Sequence, residues 1–144
     1  MARWIGIDFG NVRTGIAYTD ESERMAFPFA TVPTAELMTV LERLINESPC
    51  RGLVLGIPNA WGVALGKAHT HSTEPILAFR VKPQKRWPDL PIELTDETNT
   101  SEEALQASIA GGMKKSKRSK KGALDNVAAA IILQRFLDNR NVTG

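Results

Sequence analysis

Three carboxylates interrupt sequence that is otherwise apolar, and charge in such a place needs a reason. Asp8 lies inside the run WIGIDF, Trp4 to Phe9. An ionised group with buried neighbours there costs roughly several kcal/mol unless it is paired or bound to metal. Asp96 and Glu97 follow the short apolar run Ile92 to Leu94; alternation along a strand sends them to opposite faces, so only one can share a site with Asp8. Asp125 opens the apolar stretch ALDNVAAAIIL. Each also has a structural reading: Asp8 can cap a turn at Gly10-Asn11, Asp96 and Glu97 can be a solvated strand end, and Asp125 sits where a helix dipole favours negative charge. Were Asp8, Glu97 and Asp125 to converge, they would repel one another until a divalent cation removed the cost. Oxygen ligands without His or Cys suit Mg2+ or Mn2+, and a carboxylate-held metal pair is an engine for phosphodiester hydrolysis. Spacing alone does not establish the convergence.

A second chemical feature is cationic. The segment KKSKRSKK contains Lys114, Lys115, Lys117, Arg118, Lys120 and Lys121 and no acid, while the chain as a whole carries only +2. A mildly acidic body with one concentrated basic segment suggests a polyanionic partner reached through that segment, the alternative being a solvated loop. Six like charges between Gly111-Gly112 and Gly122, with no apolar anchor after Met113, predict poor order in the free protein. His69 and His71 have no third ligand nearby in sequence and are read as solvent-exposed. Trp61 and Trp87 are read as packing residues rather than base-stacking platforms, and Cys50, the lone cysteine, as a reduced thiol at the edge of the core.

The elements that must position these groups follow from periodicity. Trp4 to Phe9 and Thr14 to Thr19 form a predicted hairpin about Gly10-Asn11. Met25 to Val32 is a third strand that Pro28 confines to an edge. Thr34 is expected to cap a helix from Ala35 to about Glu47, with Leu37, Val40, Leu41, Leu44 and Ile45 on one stripe. Leu53 to Leu55 reads as a buried strand ending at Gly56-Ile57-Pro58. A helix from about Ser72 to Val81 admits Pro75 in its first turn. Ile92 to Leu94 is the last strand. Thr100 and Glu103 form a capping box for a helix to Ala110, Gly111-Gly112 stops it, and a final helix presents Leu124, Val127, Ala128, Ile131, Ile132, Phe136 and Leu137. Hairpins first and β/α alternation afterwards imply an α/β fold with a mixed sheet and helices packed on it.

Length and composition set the frame. At 144 residues, 42% hydrophobic and 24% charged, the chain fits one globular domain, 1–144, with a core of its own. No run approaches the roughly 20 apolar residues of a membrane span and the N-terminus lacks a secretory pattern, so a cytoplasmic protein is expected.

At GIDFGNVRTGIA (Gly6 to Ala17), LGIP (Leu55 to Pro58), DETNTSEEA (Asp96 to Ala104) and LDNVAAAIIL (Leu124 to Leu133) the chain resembles the YqgF family. These bacterial proteins are associated with maturation of the 5′ end of the small-subunit ribosomal RNA precursor and are also described as Holliday junction resolvases. The resemblance covers nearly the whole chain. It implies a ribonuclease H-like fold with a five-stranded mixed sheet and places the catalytic carboxylates at Asp8, Glu97 and Asp125. Gly10, Arg13 and Gly15 match the family's glycine-rich turn, where backbone free of side chains can approach a phosphate. One position departs: the family usually has Arg where this chain has Thr98, so its work falls to Arg13 or to the basic segment. The stretch 59–67 matches only loosely.

The leading expectation is a metal-dependent nuclease acting on structured RNA, as monomer or homodimer. Its nearest rival changes the substrate to a four-way DNA junction; nothing in the residues reads a 2′-hydroxyl, and a resolvase should be a symmetric dimer cutting two strands. An ATP-binding protein, with Asp8-Phe9-Gly10 at phosphate, would need two such lobes where 144 residues supply one. A non-catalytic RNA-binding module would use only the basic segment.

Overall fold

The computed structural model describes residues 2–58, 73–118, 120 and 122–143, the side chains of 141–143 excepted. Strands β1 (Arg3–Asp8), β2 (Arg13–Thr19), β3 (Ala26–Pro33), β4 (Cys50–Ile57) and β5 (Ile92–Asp96) form one sheet in the order β3-β2-β1-β4-β5. β1 pairs antiparallel with β2, and β2 with β3, while β1, β4 and β5 run parallel. The helices are α1 (Leu37–Glu47), α2 (Glu74–Arg86), α3 (Thr100–Ala110), α4 (Lys115–Arg118) and α5 (Asp125–Thr143). The expected ribonuclease H-like mixed sheet is thus present.

Alternation on β1 builds two cores. Ile5 and Ile7 point to the face covered by α1 and α2, where they pack with Leu41, Leu55 and Phe79. Trp4 points to the opposite face, where it meets Ile132, Leu133 and Leu137 of α5. Each fully buried Leu or Ile there contributes roughly 1.5–3 kcal/mol. On the α5 face the strands offer glycine where a side chain would stand. A Cβ at Gly6 would lie 2.8 Å from the Leu133 Cβ and 3.0 Å from the Ala129 carbonyl, and one at Gly15 would collide with the Asp125 backbone. Ala128, Ala129 and Ala130, all buried, complete the close fit from the helix side. The helix therefore lies directly on the sheet, and its first turn falls beside the end of β1.

Several expectations are adjusted by tertiary partners. Thr34 does not cap a helix. A 3-10 turn spans Thr34–Glu36, and the Thr34 hydroxyl instead donates to the Gly10 carbonyl and pairs with the Thr14 hydroxyl at 2.8 Å. The Thr100–Glu103 capping box is likewise absent: Asn99, at φ 64°, precedes the helix, Thr100 donates to the Glu97 carbonyl, and Glu103 accepts from Arg135. α2 continues through Pro83 to Arg86, beyond the expected end at Val81. β3 is an edge strand with a register shift beside Pro28, as its proline requires. Trp87 and Cys50 pack at the rim of the core, and among the described residues no helix is long and apolar enough to cross a membrane. Trp61, His69, His71 and the stretch 59–67 lie outside the described residues.

Candidate active site

Asp8 ends β1 on the face that carries Gly6 and Trp4, so it projects toward the start of α5. Continuing the β1–β4 register beyond Ile7–Leu55 sets Asp8 level with Gly56, which pairs with Thr95 of β5. Glu97 is two residues beyond Thr95 and returns to that same face, whereas Asp96 faces away. Between the acids stands Gly56, where a Cβ would meet the Ile132 side chain and lie 3.1 Å from the Glu97 Cβ. Lacking a side chain there, the sheet lets Asp8 and Glu97 join through a hydrogen bond.

Both carboxyls hold their protons above the ordinary carboxylate range. Loss of water around Glu97 raises its pKa to about 8, helped by the negative charge of Asp8 and by the hydrogen bond that Glu97 donates to it. Burial also raises Asp8, to about 6, against the lowering effect of that hydrogen bond and with a further push from the charge of Asp125. Two half-buried carboxyls this close resist ionising together unless something positive joins them.

Asp125 opens α5 and lines an open pocket of about 300 Å³ together with Asp8, Gly10 and Arg13. Its Oδ2 accepts from the Arg13 Nε at 3.2 Å. The three acids expected from the sequence thus surround one corner of the sheet: Asp8 and Glu97 in contact, Asp125 felt electrostatically and held by Arg13. Among the described residues no three acids, histidines or cysteines stand close enough to hold an ion with side chains as placed. The donor chemistry nevertheless fits a hard divalent cation, since converging carboxylates repel until positive charge joins them and every donor is oxygen.

The glycine turn divides into separate roles. Gly10 sits in the β1–β2 loop, with its carbonyl held by Thr34 and the loop further fixed by the Thr34 amide on the Val12 carbonyl at 2.9 Å. Gly15 lies within β2, opposite Asp8; the group it must accommodate is the α5 backbone rather than a phosphate. Arg13 begins β2 and faces the pocket.

In the basic segment, residues expected to be poorly ordered form the helical turn α4. The Lys117 and Arg118 amides both bond to the Lys114 carbonyl at 3.0 Å, and the Arg118 guanidinium returns to the Met113 carbonyl at 3.0 Å. Backbone bonding thus supplies the anchor that apolar side chains do not. Lys117 and Lys120 turn toward Arg13 along a second pocket; Lys115 belongs to α4, and Lys121 lies outside the described residues.

Thr98 donates to the Asp96 carboxylate at 2.8 Å. The guanidinium at this turn comes from neither Arg13 nor the basic segment but from Arg135 of α5. Arg135 donates to the Asp96 carbonyl at 3.0 Å and to Glu103 at 2.8 Å, and so holds the chain on both sides of Glu97. Sequence reasoning missed it, although a lone cation between Leu133 and Phe136 in an apolar helix was a usable signal.

Over 96% of its length the chain is similar to a fowlpox virus resolvase solved with Holliday junction DNA (TM-score 0.57, 12% identity, 98% of that chain). Over 98% it is similar to a Thermus thermophilus RuvC in complex with a Holliday junction substrate (TM-score 0.56, 14% identity, 97% of that chain). These likenesses define the fold as ribonuclease H-like. The chain belongs to the RuvX family, described as Holliday junction resolvase, which matches residues 2–139. Relatives named "Putative pre-16S rRNA nuclease" include one from Phocaeicola vulgatus, 34% identical over 97% of this chain and 98% of its own. Another, from Christiangramia forsetii, is 36% identical over 95% of this chain and 98% of its own.

Proposed function

We propose that the protein is a metal-dependent nuclease that hydrolyses phosphodiester bonds in the processing of the 5′ end of pre-16S rRNA. The observation that carries this is the convergence of the half-buried Asp8 and Glu97 on either side of Gly56, with Asp125 opening onto the same corner of the sheet. Two half-buried carboxyls brought together favour a positive charge between them. Asp8, Glu97 and Asp125 would hold Mg2+ or Mn2+, which supplies charge neutralisation at the phosphate and a water of lowered pKa. Arg13 positions Asp125 and presents its guanidinium to the same pocket, where it can take a phosphate oxygen. Gly10 lets the β1–β2 loop close, since a Cβ there would collide with the Arg13 carbonyl, and Gly15 seats the first turn of α5. Lys114, Lys115, Lys117, Arg118, Lys120 and Lys121 neutralise phosphates further along the strand. The full-length relatives named as rRNA nucleases favour RNA as substrate.

The family description favours a second substrate, the four-way DNA junction. The two are separated by incubating the protein with a 5′-extended 16S precursor fragment and with a synthetic junction, each with Mg2+, with Mn2+ and with EDTA. Metal-dependent trimming of the RNA with an intact junction is the expected result. Paired symmetric nicks in the junction alone would transfer the assignment to resolution, and no cleavage of either would refute the nuclease reading.

A further inference from the structure

A cavity of about 470 Å³ lies between β3, the start of α5 and the basic segment, within the range of pockets that take small organic groups. Its floor is apolar, formed by Val32, Pro33, Met113 and Ala123, and its cations are Arg13, Lys117 and Lys120. Arg13 lines this cavity as well as the pocket that holds Asp8 and Asp125, so the two share that side chain. The wall is built rather than incidental. Thr31 donates to the Gly122 carbonyl at 2.9 Å, and at Gly122, φ +82°, a Cβ would come within 2.7 Å of the Arg13 Nε. Asn126 also lines the cavity, and its side-chain oxygen is buried beneath the surface with no hydrogen-bond partner among the described residues.

An apolar floor and cations at the rim match the two main parts of one nucleotide: a planar base and a phosphate. We propose that this cavity takes a single unpaired nucleotide of the substrate strand, next to the phosphodiester lying at the carboxylates. Base burial against Val32, Pro33, Met113 and Ala123 supplies the affinity, Lys117 and Lys120 hold its phosphate, and Arg13 fixes its distance from Asp125. The position relative to the cleaved bond rests on the nuclease reading; capture of the nucleotide does not. In this account the enzyme selects sites where one nucleotide can leave its helix.

The test is titration of the isotopically labelled full chain, without metal, by AMP and in parallel by inorganic phosphate, following backbone amide signals. AMP should shift Met113, Ala123 and Asn126 saturably and bind at least about ten-fold more tightly than phosphate, as a buried base requires. Ala123→Phe should remove that advantage, and Lys117→Gln with Lys120→Gln should weaken both ligands should the Phe variant not fold. Equal affinity for AMP and phosphate would make the cavity an anion site only, and AMP shifts elsewhere would overturn the proposal outright. A precursor fragment with an abasic residue beside the cut should be cleaved more slowly than its parent. Failure to cleave any substrate would count against the nuclease reading, while the titration would still decide the cavity.

Discussion

A carboxyl that keeps its proton because it is buried binds that proton more tightly in the folded chain than in the unfolded one. Asp8 and Glu97, raised from 3.8 to about 6 and from 4.5 to about 8, therefore favour folding where both are protonated. That advantage is lost as pH climbs from their unfolded values through their folded ones. Metal-free protein should melt a few °C higher, on the order of the shift expected for about 1 kcal/mol, at pH 5 than at pH 8.5. Glu97→Gln should flatten that dependence, and Mg2+ should reverse it in the wild type by binding the deprotonated pair. Differential scanning calorimetry across that range, with Mg2+ and with EDTA, checks all three statements. A wild type that is equally stable at both pH values without metal would mean that the pair is not strained.

Asp125 reaches the site only because α5 lies against glycine. Gly15→Ala puts a methyl into the Asp125 backbone, so the helix start must lift or the strand must bend. Overpacking of this kind costs about 1–3 kcal/mol. Urea unfolding should register a loss of that order, and metal-dependent cleavage should fall further than stability alone explains, because Asp125 moves with its helix. Cleavage at wild-type rate in the folded variant would separate the helix start from the chemistry. The same elements show what could be read before the structure was seen. Asp8 and Glu97 were legible because a charge in an apolar strand is anomalous, and strand parity correctly separated Glu97 from Asp96. Asp125 was legible through the apolar helix it opens. Thr34 and Thr100 carry capping signals that the fold does not use, because the Gly10 and Glu97 carbonyls take their hydroxyls. Arg135 escaped because its partners lie 39 and 32 residues away, a distance at which periodicity carries no information.

Across the whole chain, charge is divided between function and solubility. The net +2 arises from one basic segment on an otherwise acidic body, and that segment stands beside the carboxylate corner through Arg13. Replacing Lys114, Lys115, Lys117 and Lys120 with Gln should weaken nucleic-acid binding and flatten the slope of log K against log salt by up to about four times 0.9 for duplex. Fluorescence anisotropy at several salt concentrations measures this, and an unchanged slope would remove the segment from the interface. The most direct measurement concerns the acids themselves: single-turnover cleavage in Mg2+ by Asp8→Asn, Glu97→Gln and Asp125→Asn, with binding followed in parallel. Each variant should bind substrate as the wild type does and cleave it slower by orders of magnitude. Cleavage at wild-type rate by all three would show that these carboxylates are structural and would contradict the account at its centre.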